Sequence, residues 1–325
     1  MELHILIDNL PAENCPELHN EHGLSVYFTL AGKHWLADTG ASGKFMHNME
    51  QLRICTPQIC PVEEIDGVFI SHGHNDHTGG LRTFIESNCR APIWLHSSIR
   101  GNFFFSCRPR PAKPSAATDS AEGGLQATIS EYRSIGMEQA LFAEYGDRFR
   151  EIDSPTKISE RITLIPITGE RPYPTPMGNE FLYKNDLPDN FTHETVILIE
   201  HSEGKFAIIS PCTHNGILNV LECCSRYMEE NSSRKLSGKG EITHFIGGLH
   251  YVDYLATGEG EKESASIKET ATRLKELYPE LKLCSGHCTC SAAEEILKNI
   301  LGENYSTFRT GTQITISSSP SLGTK

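Results

Sequence analysis

The stretch from Gly67 to Gly80 constrains this chain more than any other. It opens with Gly67-Val68-Phe69-Ile70-Ser71, a short apolar run of the kind that lies buried in a sheet covered on both faces. Directly behind it stand His72, His74, Asp76 and His77, three imidazoles and a carboxylate within six residues. Side chains two apart on an extended backbone point to the same side, so His72 and His74 can share one metal ion. Asp76 and His77 fall where a helix is predicted to begin, displaced enough to serve a neighbouring ion. The interleaved glycines let the backbone bend closely around such ions. Neutral imidazole with carboxylate suits Zn²⁺, one ion or two, with Mn²⁺ or Fe²⁺ as substitutes. A polar loop with ordinary hydrogen-bonded histidines is the competing reading, and four ligand-type side chains at this spacing argue against it.

The surrounding pattern is that of a layered α/β domain. Strands are predicted at Leu3 to Ile7, Leu24 to Phe28 and Lys33 to Ala37, and later at Ile93 to Leu95, Ile162 to Ile165, Val196 to Ile199 and Phe206 to Ile209. Helical stripes interleave with them: Leu81, Phe84 and Ile85; then Ile217, Val220, Leu221 and Cys224; then Ile267, Ala271, Leu274 and Leu277. Ser291-Ala292-Ala293-Glu294 reads as a capping box opening a last helix that Gly302 stops. The whole of 1–325 reads as one domain. A flexible insertion is expected around 100–150, centred on the Pro-, Ser- and Gly-rich run from Arg108 to Gly124, and a frayed tail at 317–325.

Composition narrows the function. A net charge of −13 argues against a sequence-independent nucleic-acid binder, which needs clustered Lys and Arg. No apolar stretch approaches the ~18 residues of a membrane span, and Met1 to Asp8 carries no basic region of a secretion signal. Eleven cysteines, an odd number, fit reduced thiols in a cytoplasmic protein better than a disulfide framework. Cys284, Cys288 and Cys290 lack the paired spacing of a thiolate zinc site, whereas Cys212, beside His214, could face the metals. Thr39 to Lys44 lacks the spacing of a phosphate loop, and no serine-hydrolase elbow occurs.

His72-Gly73-His74-Asn75-Asp76-His77 resembles the H-x-H-x-D-H signature of the metallo-β-lactamase superfamily, and Asp38-Thr39-Gly40 its acidic turn upstream. Five further landmarks, in order, resemble the subgroup of dihydropterin–ribofuranosylaminobenzene-phosphate synthase-like proteins: Glu21 to Ser25, Ile167 to Glu170, Pro211 to Ile217, Gly247 to His250 and Ser285 to Thr289. The resemblance implies an αββα sandwich with a metal pair at one edge. It also implies a later His, a bridging Asp and a final His at successive strand ends. His287 stands at the last position. His214 stands where the bridging Asp would fall, and Glu170 where the earlier His would.

The ligand set so expected is His72, His74, Asp76, His77, His214 and His287. Asp76 also orients a nucleophile, and His250, at another strand end, is the candidate acid. Glu170, Arg171, His22 and Thr289 are candidate substrate contacts. The reversed assignment, Glu170 as ligand and His214 as bridge, stays open. Expected partners are a small-molecule substrate, which could carry phosphate, and a second copy of the chain; nucleic acid and membrane are not expected. Metal-assisted hydrolysis is the leading activity. A transferase joining a dihydropterin to an arylamine ribofuranosyl phosphate follows from the subgroup resemblance, and a non-catalytic regulator on the same fold is the third reading.

Overall fold

The computed structural model describes residues 1–107, 109–111, 128–130, 132–231, 240–252 and 260–317. Fourteen strands form the two main sheets: β1 (Glu2–Ile7), β2 (Ser25–Leu30), β3 (Lys33–Ala37), β4 (Gly67–Phe69), β5 (Ile93–His96), β6 (Phe149–Ile152), β7 (Thr156–Lys157), β8 (Ile162–Pro166), β9 (Thr195–Ser202), β10 (Lys205–Ile209), β11 (Glu241–Ile246), β12 (Lys282–Ser285), β13 (Tyr305–Thr307) and β14 (Gln313–Thr315). The first sheet runs β6-β5-β4-β3-β2-β1-β14 and the second β7-β8-β9-β10-β11-β12-β13. The β2–β3 hairpin turns on Ala31 and Gly32, both at positive φ, the conformation whose twist matches the flanking strands.

Period-two alternation sorts the strand residues into layers. Val26, Phe28, Trp35, Ala37 and Phe69 of the first sheet meet Leu164, Ile197, Ile199, Ala207 and Ile209 of the second in one central core. Their neighbours Tyr27, Leu36 and Val68 point outward against helices α1 (Lys44–Cys55) and α3 (Leu81–Ser87). On the far side, Ile165, Val196, Leu198 and Ile208 pack against α5 (Ile217–Asn231), α6 (Gly260–Leu277) and α7 (Ser291–Leu301). The layering is the expected αββα sandwich. Among the described residues there are also two short helices, α2 (Asn75–Thr78) inside the histidine motif and α4 (Leu141–Glu144). Among the described residues no helix is long and apolar enough to cross a membrane.

Three expectations need correction. Residues 132–150 are not a flexible insertion: Met137, Leu141, Phe142 and Phe149 belong to the outer core of the first sheet, and Phe104–Ser106 pairs with Arg133–Ser134 and Leu182–Lys184. Residues 112–127, at the heart of the Pro- and Gly-rich run, and 318–325 of the tail lie outside the described residues. The capping box does not form. Cys290 is the cap residue, held extended because its N–H donates to Tyr251 O at 2.8 Å, so Ser291 is already helical. Leu277 is exposed at the end of α6, leaving Ile267, Ala271 and Leu274 as its buried stripe.

Parallel pairing sets the site. β3 and β4 are parallel in one sheet, and β10, β11 and β12 are parallel in the other. The chain segments leaving their C-terminal ends are thereby gathered at one edge of the sandwich, where ligands of open α/β sheets characteristically bind.

Candidate metal centre

His72, His74 and His214 form the first group. His72 Nε2 lies 3.0 Å from His74 Nδ1 and 3.2 Å from His214 Nε2. The outer nitrogens fix the tautomers. Asp38 accepts the Ser71 hydroxyl at 2.7 Å, so Ser71 Oγ is left to accept from His72 Nδ1 at 2.8 Å. Asn179 Oδ1 faces His214 Nδ1 at 3.0 Å. With their protons on the outer nitrogens, His72 and His214 turn bare lone pairs inward. All three imidazoles are buried; burial, then His77 and His74, press His72 well below its ordinary range, and burial takes His74 to about 3.

Asp76, His77 and His287 form the second group. His77 Nε2 lies 3.1 Å from His287 Nε2, and Asp76 Oδ2 is 3.7 Å and 3.5 Å from the same two nitrogens. His77 Nδ1 donates to Asp38 Oδ2 at 2.6 Å, and Asn9 Oδ1 faces His287 Nδ1 at 3.1 Å. Burial opposes ionisation of Asp76, yet His77, His287 and His22 hold its carboxyl well below the usual range. Burial also opposes charge on His287, but Cys288 and Asp76 outweigh it and raise the imidazole to about 9.

These residues fit a metal on the chemistry of the donors themselves. His72 Nε2 lies within 3.0–3.2 Å of nitrogens of His74 and His214, and His77 Nε2 within 3.1 Å of His287 Nε2. The outer nitrogens of His72, His214 and His77 are hydrogen-bonded outward, so this is a clustered donor set of the kind that holds a cation. Cys212, at the turn after β10, reaches both groups: its sulfur lies within 4.8 Å of the inward atoms of His72 and His77. It also lies within that range of His287 and of His214 with His250. Among the described residues the structure thus supplies a sulfur between the two groups, where the resemblance implies a bridging carboxylate.

A cavity of about 440 Å³ opens above both groups, lined among others by His22, Asp76, Arg133, Cys212, His250 and Cys288. His250 Nε2 is buried without a hydrogen-bond partner, and Gly178 packs so closely that a Cβ there would sit 2.9 Å from it. His22 Nε2 is 3.4 Å from Asp76 Oδ2 on the cavity wall.

The other expected substrate contacts are not brought here. Glu170 is exposed on the loop after β8, and Arg171 donates to Asn190 O. Thr289 is buried, its hydroxyl accepting the Leu249 N–H at 3.1 Å, so it ties two loops together. The geometry therefore assembles His214, and not Glu170, with His72 and His74.

The supports were largely missed in the sequence. Asp38 stood out only as an acidic turn, yet it braces both groups at once. Gly73 N–H donates to His193 Nδ1 at 3.2 Å, and His193 Nε2 in turn faces buried Asp189 at 2.9 Å. Glu194 accepts the backbone N–H groups of His214 and Asn215 at 2.7 and 2.9 Å. His193-Glu194, a polar pair directly before a buried strand, was the available signal. Gly73 itself must be glycine, since a Cβ would lie 2.4 Å from the Phe104 ring. Asp38, Phe191, Thr213, His250 and His287 all hold left-handed backbones around the site, a conformation costing about 1–3 kcal/mol each for side chains of this kind.

Comparison with known proteins agrees with the fold. Residues 22–104 match the family model of the metallo-beta-lactamase superfamily. The chain is 28% identical to the 7,8-dihydropterin-6-methyl-4-(beta-D-ribofuranosyl)-aminobenzene-5'-phosphate synthase of Methanocaldococcus jannaschii, with 96% of this chain and 95% of that protein covered. It is 26% identical to an uncharacterized protein of the same organism, over 76% of this chain and 78% of that one. The solved structure of a metal-dependent hydrolase of the beta-lactamase superfamily superposes with a TM-score of 0.65 at 21% identity, covering 98% of this chain and 99% of that one.

Proposed function

We propose that this chain, which has the metallo-β-lactamase fold, is a metal-dependent hydrolase cleaving an ester, amide or phosphoester bond in a small molecule. The observation that carries the reading is the pair of inward-facing ligand groups at the floor of one open cavity. His72, His74 and His214 would hold one ion and Asp76, His77 and His287 a second, with Zn²⁺ preferred and Mn²⁺ or Fe²⁺ as substitutes. Bound there, a divalent transition metal supplies Lewis acidity, which activates water near neutral pH and polarises the bond to be cut.

The chain's own residues supply the rest. Asp76 has an oxygen turned to the cavity and can orient an attacking water. His250 lines the same cavity, and its buried Nε2 has no hydrogen-bond partner, so it is the candidate to carry a proton to the departing group. Asp38, Asn179 and Asn9 hold the imidazoles in the tautomers that leave lone pairs inward. The reading includes a cytoplasmic setting, where the eleven free cysteines stay reduced.

Elemental analysis and a screen of phosphodiesters, lactones, thioesters and pterin alcohols test it. The expected result is hydrolysis of at least one class, lost together with metal in the His72→Ala/His74→Ala variant. Metal-loaded protein inert toward every class removes the hydrolase reading.

The similarity over 96% of the chain favours one second reading. In it the same cavity joins a dihydropterin, activated at its methylene carbon, to the arylamine of a ribofuranosyl phosphate. Formation of that C–N bond from the two substrates, without net hydrolysis of either, would replace the first reading by the second.

A further inference from the structure

Cys212 and Cys288 meet at the foot of the cavity with their sulfurs 3.3 Å apart. They are 76 residues apart in sequence and are brought together by the parallel pairing of β10, β11 and β12. Cys212 lies in the turn after β10 and Cys288 in the turn after β12. Both line the cavity, so a solute that reaches Asp76 reaches them as well. The space between the turns is kept by Gly248, where a Cβ would stand 2.5 Å from Cys288 Sγ. A disulfide requires an approach of about 1.3 Å from here, within the reach of side-chain rotation and small loop shifts.

We propose that Cys212 and Cys288 are a redox-active dithiol whose disulfide and a filled metal centre exclude each other. The second half of this rests on reading the site as a metal centre. Only a thiolate ligates metal, and a sulfur committed to a disulfide has no such charge to offer. Cys212 is the sulfur within reach of His72 and His77, so bonding it to Cys288 removes the donor that lies between the two groups.

The oxidant class is a small-molecule disulfide such as oxidised glutathione. Cys288 is the more exposed of the two residues and attacks first, as thiolate, on one glutathione sulfur. That forms a mixed disulfide and releases one glutathione thiolate. The Cys212 thiolate then attacks Cys288 Sγ, forming the internal bond and expelling the second glutathione. The two protons given up by the cysteines end on the two glutathione thiols. The chain loses two electrons and the glutathione disulfide gains them.

Chelator-treated full-length protein incubated with oxidised glutathione, then quenched and mapped by mass spectrometry, tests the proposal. Expected is a cross-linked Cys212–Cys288 peptide, absent in Cys212→Ser and Cys288→Ser, with Cys288 keeping a glutathione adduct in the former. Zn²⁺ added first should suppress the cross-link. Zn²⁺ added afterwards should bind with reduced stoichiometry until a thiol reductant restores it. Adducts at Cys288 with no cross-link in the wild type overturn the dithiol. A cross-link that forms equally in Zn²⁺-loaded protein, with the metal retained, overturns the exclusion. The His72→Ala/His74→Ala variant separates this from the metal reading: it should cross-link with or without Zn²⁺. If the wild type behaves the same way and binds no Zn²⁺, the metal reading fails while the dithiol stands.

Discussion

The two ligand groups at the sheet edge are neighbours built on opposite electrostatic terms. His72, His74 and His214 contain no carboxylate, and burial keeps them neutral. Asp76, His77 and His287 include an anion, and in the metal-free protein a proton on His287 balances it. The first group therefore offers a metal neutral donors only. The second already holds a cation of its own, the imidazolium, which a metal must displace. One centre can thus combine a site that fills readily with a site whose filling depends on pH.

Removing the first group altogether is the harshest test of this contrast. His72→Ala/His74→Ala should abolish tight metal binding, as read by elemental analysis, and metal retained by that variant would break the comparison at its root. His214→Ala comes next, losing the metal of the first group while Glu170→Ala titrates like the wild type. The opposite ranking would restore Glu170 as the ligand.

Asp38 touches His77 directly and His72 through Ser71, so Asp38→Asn should weaken both groups, by about 10–100-fold in metal affinity. A loss confined to one group would show that the Ser71 relay carries no weight.

The smallest and most discriminating effect is on pH. His287, raised to about 9, must shed a proton to ligate, so affinity at the second group should climb as pH rises towards about 9. His74, lowered to about 3, needs no such step, and affinity at the first group should be flat above pH 6.5. Stability of the metal-free protein should follow the same signs. The His287 contribution is fully present below pH 6.5 and lost as pH rises through about 9. The His74 contribution is present above 6.5 and lost as pH falls towards about 3. NMR titration of the imidazoles checks both, and parallel titration of the two residues would erase the distinction.

How far the sequence carried differs between layers and site. The strands at Leu24 to Phe28 and Lys33 to Ala37 were legible from their β-rich composition. Which face meets the other sheet was not, since Val26, Phe28 and Trp35 on one face and Tyr27 and Leu36 on the other are all buried. The ligands of Gly67 to Gly80 were legible because one short loop holds four of the six. His214 and His287 were legible through the family resemblance together with their places after apolar strands. Asn9, Asn179 and Asp189 were not, since each acts on a residue distant in the chain or hidden in a loop, and nothing in its own neighbourhood marks it. Glu170 and Arg171 misled for the same reason in reverse: the loop resembles a landmark of the site, yet Glu170 is exposed and Arg171 is spent on Asn190 O, and neither lines the cavity. Residues 132–150 were masked by their Pro- and Gly-rich neighbour. Yet that segment braces the motif, with Ile135 O accepting the Asn75 N–H at 2.6 Å and the Met137 N–H donating to Gly73 O at 2.8 Å.

The parallel strand ends that supply the ligands also fix when the centre can come into being. His77 and His287, 210 residues apart in sequence, meet from opposite sheets, a contact that closes a long loop. Such contacts form late and slowly, after local helices and hairpins. During refolding, a metal ion present from the start would meet only the local His72–His77 loop, a partial ligand set. Metal capture then reports completion of the fold, and its rate should track the slowest folding phase and not the metal concentration.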